Sequence, residues 1–284
     1  MADYSYIKAK NIKQAMELLE QPNSIVSAGG SVLLLMIKEG AFPNGGQFVD
    51  ITGLPELRGI TFEDGKLRIG ALVTVRELLN SPLVAEYLPA LFDACSVFAD
   101  PLTRNTATIG GNFAVSSPSA DCVIPLIAIG AQLELLSKAG KRIIACEELF
   151  CGPGQNTLKK GELISAVIAP FALSSAFCKQ GLRKAMAISV ATAAASLSLD
   201  CEGIITSCRL ALGSVAPVPL RIYATEKLLV GKNINDDLFP VLRDSVKQQI
   251  KPIDDCRSTA EYRLELAPVL LSRAVVLAGK RYFN

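Results

Sequence analysis

The spacing of apolar and polar residues in the first fifty positions predicts an alternation of strands and helices. Apolar residues recur every three to four positions across residues 12–20, which predicts a helix. Short apolar runs predict strands at residues 24–28 and 48–51, and a second helix is predicted between them over residues 32–39. A strand, a helix and a second strand in this order predict a small parallel sheet.

The next segment has the pattern of an antiparallel hairpin followed by a capped helix. Two short apolar runs, residues 60–62 and 67–69, flank an Asp-Gly pair that is typical of a tight hairpin turn. Thr74 and Glu77 have the spacing of a capping box at the start of a helix. Residues 104–121 are rich in glycine, serine, threonine and asparagine, and we predict an irregular segment there.

The composition changes after Pro170. Residues 191–199 and 204–212 resemble two strands joined by a Glu-Gly turn, and residues 258–282 form a long amphipathic stretch that predicts a helix. The pattern predicts an α+β chain with a domain boundary near residue 172.

Composition narrows the possible functions. The chain has 284 residues, half of them hydrophobic, and a net charge of +2, which does not indicate a nucleic-acid partner. The most apolar stretch, residues 123–131, is interrupted by Pro125 and Gly130 and is far shorter than the ~20 residues that a membrane span needs. The opening MADYSYIKAKNI lacks the apolar centre of a signal peptide. We therefore expect a cytoplasmic protein without a membrane span.

The histidine and cysteine content limits which nucleophiles, bases and metal ligands the chain could use. The chain contains no histidine, which excludes Ser-His-Asp triads and histidine-ligated metals. Its eight cysteines include no C-x-x-C pair, so we expect free thiols in a reducing compartment and no metal site. If the chain is an enzyme, a bound cofactor is expected to carry the chemistry, with no catalytic side chain.

Two glycine pairs are the candidate ligand-binding loops. Gly29-Gly30 follows a predicted strand, and Ser31 is predicted to cap the next helix, so that backbone N–H groups could approach a phosphate. Gly110-Gly111 lies in a second stretch that is dense in hydroxyl and amide groups. Each pair alone is also typical of ordinary loops. Together, in a chain with no other chemistry, they favour a nucleotide site between them.

The sequence resembles the FAD-binding subunit of the xanthine dehydrogenase and carbon monoxide dehydrogenase family of molybdenum hydroxylases. The resemblance covers nearly the whole chain and rests on these segments, which occur in the family's order: AGGSVLLLMIKEG, FVDITGLPELRGI, DGKLRIGALVTVREL, TRNTATIGGN, SPSAD, GPGQNTL, LALGSVAPVPLR and STAEYRLELAPVL. It implies a two-subdomain PCMH-type FAD-binding domain over residues 1–172, divided at about residue 56 into 1–56 and 57–172. A smaller α/β domain over residues 173–284, with a small antiparallel sheet and helices, is implied to follow.

The resemblance also implies which residues contact FAD. The two glycine segments are implied to hold the diphosphate, and the other positions are implied to contact the remainder of the cofactor. The implied cofactor-binding residues are Ser27, Ala28, Gly29, Gly30, Ser31, Val32, Leu33, Leu34, Phe98, Thr108, Ile109, Gly110, Gly111, Asn112, Ser117, Asp121, Ile164 and Lys179. Many family members have Thr-Asp where this chain has Ser31-Val32, so one carboxylate of the family pattern is missing.

The implied activity depends on partners. Substrate would be hydroxylated at a molybdenum cofactor in a large subunit, and electrons would pass through [2Fe-2S] clusters of a small subunit to FAD on this chain. FAD would then reduce NAD⁺, oxygen or another acceptor. A heterotrimer, or its dimer, is implied. Two alternatives stay open: a stand-alone PCMH-type flavin reductase or oxidase, and a non-catalytic FAD-binding assembly module.

Overall fold

The computed structural model describes residues 4–42, 45–183 and 186–283. The strands are β1 (Ser5–Lys8), β2 (Ser24–Ser27), β3 (Gln47–Asp50), β4 (Ile60–Glu63), β5 (Lys66–Gly70), β6 (Gln132–Ser137), β7 (Gly140–Ala145), β8 (Phe150–Gly152), β9 (Gln155–Asn156), β10 (Leu163–Pro170), β11 (Ser175–Gly181), β12 (Ser189–Leu199), β13 (Ile205–Gly213) and β14 (Leu220–Arg221). The α-helices are α1 (Ile12–Leu19), α2 (Leu33–Lys38), α3 (Val75–Asn80), α4 (Pro82–Tyr87), α5 (Pro89–Ser96), α6 (Pro101–Thr106), α7 (Ile109–Ala114), α8 (Val123–Ala128), α9 (Tyr223–Leu229), α10 (Phe239–Gln249) and α11 (Ala260–Tyr282).

The N-terminal sheet is parallel, as predicted. Its strand order is β1-β3-β2, with β3 paired in parallel to both neighbours. Asn11 begins α1, and its side chain accepts a hydrogen bond of 2.9 Å from the backbone N–H of Gln14. Because the three strands are parallel, their carboxyl ends lie at one edge of this sheet. Ligands of parallel α/β units commonly bind at this edge.

A second sheet of five antiparallel strands, in the order β4-β5-β10-β6-β7, follows in the chain. The predicted hairpin is confirmed: Asp64 and Gly65 join β4 to β5 with φ values of 48° and 73°, the left-handed conformations of a tight hairpin turn. The predicted capping box is confirmed as well, because the N–H of Thr74 donates to the Glu77 carboxylate at 2.6 Å while the Thr74 hydroxyl accepts from the N–H of Glu77.

The prediction that residues 104–121 are irregular is wrong for their first part. This stretch contains the end of α6 and the whole of α7. Asp100 accepts hydrogen bonds from the N–H groups of Leu102 and Thr103, and the Thr108 hydroxyl accepts from the N–H of Gly111. These two caps stabilise the helix starts enough to overcome the low helix propensity of glycine.

The C-terminal part is an antiparallel sheet, β11-β12-β13-β14, with the long helix α11 against β11 and β12. The two predicted strands and the predicted long helix are confirmed at β12, β13 and α11. An ion pair joins α11 to α5, because the Arg281 guanidinium binds the Asp93 carboxylate through two nitrogens at 2.7 and 2.8 Å. Arg281 also donates to the carbonyl of Ser175 at 2.7 Å.

Buried apolar side chains form three clusters. One lies beside the N-terminal parallel sheet, one lies under the five-stranded sheet and its helices, and one lies between the C-terminal sheet and α10 and α11. The chain is therefore of mixed α+β class, with helix-covered sheets and a small antiparallel sheet plus helices at its C-terminal end. This agrees with the fold class that the sequence predicts.

Candidate functional site

The first glycine segment lies at the carboxyl edge of the parallel sheet. β2 ends at Ser27, and the chain then turns through Gly29 and Gly30 before α2 begins. Gly30 has a φ of 71°, a left-handed conformation that glycine adopts at little cost. Within the described residues, no protein acceptor receives the backbone N–H groups from Gly29 to Val32. Four successive amide donors are thus free for a ligand, as an anion such as a diphosphate requires.

The prediction that Ser31 caps the second helix is wrong. The position before the first helical residue is occupied by Val32, which makes no capping bond, so the Ser31 hydroxyl does not hold the start of α2. Val32, Leu34 and Leu35 are exposed, and no residue of α2 is buried. The Ser31 hydroxyl is half-buried and lies beside the free amides, where it could add a fifth donor.

The second glycine segment has a different role in the fold. Gly110 and Gly111 lie in the first turn of α7, and their N–H groups already donate, to the carbonyl of Ala71 at 2.9 Å and to the Thr108 hydroxyl at 3.1 Å. A Cβ atom on Gly110 would lie 2.7 Å from the Cβ atom of Ala71 and 2.9 Å from its carbonyl oxygen. Glycine is needed here because the helix packs directly on the chain that leaves β5.

The N–H groups of Ile109 and Asn112 are also used, by the carbonyls of Val73 and Thr108, both at 2.9 Å. The N-terminal amides of α7 therefore do not offer donors to a phosphate. The Asn112 side-chain oxygen, by contrast, is buried and has no hydrogen-bond partner among the described residues. A buried acceptor without a donor is costly unless a ligand or water supplies one, so Asn112 is the residue of this segment best placed to bind a hydroxyl.

The first glycine segment packs directly against the chain that leads into the second. A Cβ atom on Gly29 would lie 1.7 Å from the carbonyl oxygen of Thr106, at the end of α6 just before the second segment. Glycine is therefore required at position 29 for the backbones to approach. The loop with the free amides thus packs against the chain that leads into the segment with the unpaired Asn112 oxygen. Amide donors for a diphosphate and an acceptor for a hydroxyl are the groups that a dinucleotide needs.

Asp121 and Lys179 form a buried ion pair. The Lys179 ammonium lies 2.6 Å from one carboxylate oxygen of Asp121 and also donates to the carbonyl of Val97 at 3.3 Å. The Ser189 hydroxyl donates to the other carboxylate oxygen at 2.5 Å. Burial raises the pKa of the Asp121 carboxyl, while Lys179 and Ser189 act in the opposite direction. The charge that Lys179 would present to a flavin is thus largely compensated.

A cleft of about 540 Å³ lies beside this pair. Its wall includes Lys179, Val97 and Phe177, and it extends along residues 180–183. Phe98 follows Val97 and packs, half-buried, on the core of the five-stranded sheet. The cleft therefore has two cationic side chains, Lys179 and Arg183, and one carboxylate, Asp93, beside the apolar Val97 and Phe177. Cationic groups next to an apolar surface are suited to a ring that gains negative charge.

The remaining expected residues lie in two places. Ile164 is buried in β10, immediately before a bulge at Ser165 whose carbonyl accepts from the N–H of Ala71 at 2.9 Å. It therefore lies in the sheet against which α7 packs. Ser117 lies in the loop after α7, and its hydroxyl accepts from the N–H of Ser119 at 3.2 Å.

Two residues of this region make contacts that their sequence context does not reveal. Asn156 donates from its side chain to the carbonyl of Ala114 and to the Ser116 hydroxyl, both at 3.1 Å, and so fixes the chain after α7. Ser189 reaches Asp121 across 68 positions of sequence. Neither contact is local, so neither could be found from spacing along the chain.

The chain matches known proteins over nearly its whole length. Residues 2–172 match the family described as "FAD binding domain in molybdopterin dehydrogenase", and residues 176–278 match "CO dehydrogenase flavoprotein C-terminal domain". The chain belongs to the FAD-binding subunits of the molybdenum hydroxylases.

Individual relatives agree with this assignment. A xanthine dehydrogenase FAD-binding subunit of Escherichia coli O157:H7 is 35% identical over 285 residues, covering 97% of each chain. The carbon monoxide dehydrogenase medium chain of Hydrogenophaga pseudoflava is 30% identical over 281 residues, covering 98% of each. A solved structure titled as reconstituted CO dehydrogenase from Oligotropha carboxidovorans superposes with a TM-score of 0.93 at 30% identity, covering 98% of each chain.

These relatives show a family of FAD-dependent oxidoreductase subunits, which confirms the predicted cofactor class and the resemblance to xanthine and carbon monoxide dehydrogenases. Within residues 4–42, 45–183 and 186–283, no helix is both long and apolar enough to cross a membrane. The same residues contain no group of three or more histidine, cysteine, aspartate or glutamate side chains arranged to hold a metal ion.

Proposed function

We propose that this chain carries FAD between an iron–sulfur partner and an electron acceptor. In this proposal it receives electrons from [2Fe-2S] clusters of a small subunit, which are supplied by a molybdenum-cofactor large subunit, and passes them to NAD⁺ or another acceptor. The observation that carries the proposal is the row of four free amides at Gly29–Val32, on a loop that packs against Thr106 at the end of α6, in a chain of this family.

The residues would hold the cofactor at separate points. The amides from Gly29 to Val32 would bind the diphosphate, with the Ser31 hydroxyl as an additional donor. Asn112 would accept from a hydroxyl of the cofactor. Asp121 and Lys179 would lie at the flavin end, where their paired charges limit how strongly negative charge is stabilised.

FAD, when bound, supplies the chemistry, because it can take electrons one at a time and release two as hydride. This chain contributes binding, orientation and electrostatics. Ile164 and Phe98 would supply apolar contact, and Ser117 would help to hold the loop after α7. The Ser31-Val32 pair in place of the family's Thr-Asp leaves this loop without a carboxylate.

We also propose the division of the chain into a FAD-binding domain over residues 1–172 and a C-terminal domain over residues 173–284. A cytoplasmic location is proposed on the basis of the cysteines. All eight are free thiols, as is usual in a reducing compartment.

Purification of the native complex through a tag on this chain tests the function. We expect FAD, molybdenum and iron to co-purify, and substrate of the holoenzyme to reduce the bound FAD. A stable monomer that contains FAD and acts on its own substrate would contradict the proposal and support the stand-alone flavoenzyme. A colourless chain that cannot be loaded with FAD would contradict it in favour of an assembly module.

A matched pair of variants tests the diphosphate site. Ser31→Asp places a carboxylate beside the free amides, and like-charge repulsion is expected to weaken FAD binding at least ~10-fold. Ser207→Asp makes the same chemical change at an exposed position of β13 and is expected to leave the affinity unchanged. Fluorescence titration of each chain with FAD measures both. Equal affinities would place the diphosphate elsewhere.

A further inference from the structure

The Asp121 carboxylate is held by two side chains of the C-terminal sheet. Lys179 on β11 binds one oxygen at 2.6 Å, and Ser189 at the start of β12 donates to the other at 2.5 Å. Ser189 is fully buried, and the side chains of Lys179 and Asp121 are 8% and 7% exposed. Water therefore has little access to replace the Ser189 hydroxyl if it is removed.

A β-bulge places the Ser189 hydroxyl against Asp121. In the regular part of the β11–β12 ladder, Lys179 lies opposite Thr192 and Gln180 lies opposite Ala191. Continuation of this register would place Val190 opposite Gly181, but Ser189 occupies that position. The extra residue turns Ser189 to the face that Lys179 and Thr192 share, because opposed residues of an antiparallel pair point to the same side.

The Ser189 hydroxyl fixes which carboxylate oxygen of Asp121 faces the Lys179 ammonium. With Ser189 in place, one carboxylate oxygen is engaged by Ser189 and the other faces the ammonium. Without it, a buried carboxylate oxygen loses its donor, and the carboxylate is free to rotate or to take up a proton. Either change alters how much of the Lys179 charge is compensated at the wall of the cleft.

We infer that Ser189 is a positioning residue, which sets through Asp121 the charge that Lys179 presents to bound FAD. This inference rests on the proposed function, since it assumes that FAD binds with its ring near Lys179. Ser189 does not itself line the cleft, and its hydroxyl is bonded to Asp121, so the effect of removing this hydroxyl passes through the carboxylate.

Thr192 provides a matched control on the same strand. Its hydroxyl is buried and has no hydrogen-bond partner among the described residues. Thr192→Val therefore removes a buried hydroxyl from β12 without removing a hydrogen bond, whereas Ser189→Ala removes the bond to Asp121. The full-length variants and the wild-type chain would each be titrated with FAD, and the two-electron reduction potential of bound FAD would be measured by spectroelectrochemistry.

We expect Ser189→Ala to raise the potential by about 30 mV, which is a tenfold change in the relative affinity for reduced and oxidised FAD. Thr192→Val is expected to stay at the wild-type potential. In the Asp121→Asn background, Ser189→Ala is expected to cause no further change, because the residue through which it acts has lost its charge.

A wild-type potential in Ser189→Ala would overturn the inference, and so would an equal shift with and without Asp121→Asn. If Ser189→Ala does not fold, Ser189→Cys replaces it, because cysteine has a similar size and a weaker donor. The reduction potential of Ser189→Cys, with and without Asp121→Asn, then tests the inference. A wild-type chain that binds no FAD overturns the proposed function and this inference together. FAD binding by wild type with no effect of Ser189 overturns the inference alone.

Discussion

Gly29 and Gly30 are adjacent glycines that are required for different structural reasons. Substitution of each by alanine should distinguish the two reasons. At Gly29 a Cβ atom would lie 1.7 Å from the backbone carbonyl oxygen of Thr106, well inside van der Waals contact. At Gly30 nothing lies within 4 Å of such an atom, but the φ of 71° is unfavourable for alanine. One substitution is blocked by a neighbour and the other by the local backbone alone.

The expected magnitudes follow from these two causes. A left-handed alanine costs about 1–2 kcal/mol, so Gly30→Ala should lower the free energy of unfolding by about 1 kcal/mol after the gain from a stiffer unfolded chain. Gly29→Ala must move one backbone away from another, and we expect a loss of about 3 kcal/mol, at the upper end of overpacking effects. It should also displace the free amides.

Urea unfolding of the two variants measures the stability difference, and FAD titration measures the effect on the site. We expect Gly29→Ala to lose FAD affinity by at least ~10-fold more than Gly30→Ala, in a chain that remains folded at low urea. Equal stability and equal affinity of the two variants would refute the close contact between Gly29 and Thr106.

Three further predictions concern other contacts. Glu134 lies in an ionic cluster with Arg68 and Lys141 that lowers its pKa to about 2 despite opposing burial. Since this folded-state pKa is below the usual unfolded value of about 4.3, Glu134 stabilises the fold above that pH. The difference in free energy of unfolding between wild type and Glu134→Gln, about 1 kcal/mol at pH 7, should shrink in urea unfolding as the pH falls from 4.3 towards 2. A constant difference would contradict this. Arg281→Lys loses the two-nitrogen pairing with Asp93 and should lower the melting temperature by a few degrees, about 1 kcal/mol, whereas an unchanged temperature would show that charge alone suffices. Gly110→Ala should lower the stability by about 2 kcal/mol, measured by the same unfolding assay, because of its contact with Ala71; loss of FAD affinity without loss of stability would instead place the cofactor at this helix.

Local features of the fold could be predicted from the sequence. The β4–β5 hairpin depends on an Asp-Gly turn, and the start of α3 depends on a capping box, so both are determined by residues close in the chain. The sequence does not predict the helix over Ile109–Ala114, because its two glycines lower helix propensity. The cap at Thr108 and the packing on Ala71 outweigh that penalty.

The candidate site was predictable in part. The first glycine segment has its free amides where a strand-turn-helix pattern predicts them, although the Ser31 cap is wrong. The pairing of Asp121 with Lys179 and Ser189 could not be predicted, since it joins distant segments and depends on a bulge that spacing does not reveal. The use of the α7 amides by the protein itself likewise depends on tertiary contacts with Ala71 and Val73.

A crystal structure of the chain with FAD tests the central claim most directly, because it locates the diphosphate. We predict diphosphate oxygens within hydrogen-bonding distance of the N–H groups between Gly29 and Val32, with Asn112 accepting from a cofactor hydroxyl. A diphosphate bound away from these amides, or FAD bound away from the contact between Gly29 and Thr106, would contradict the account.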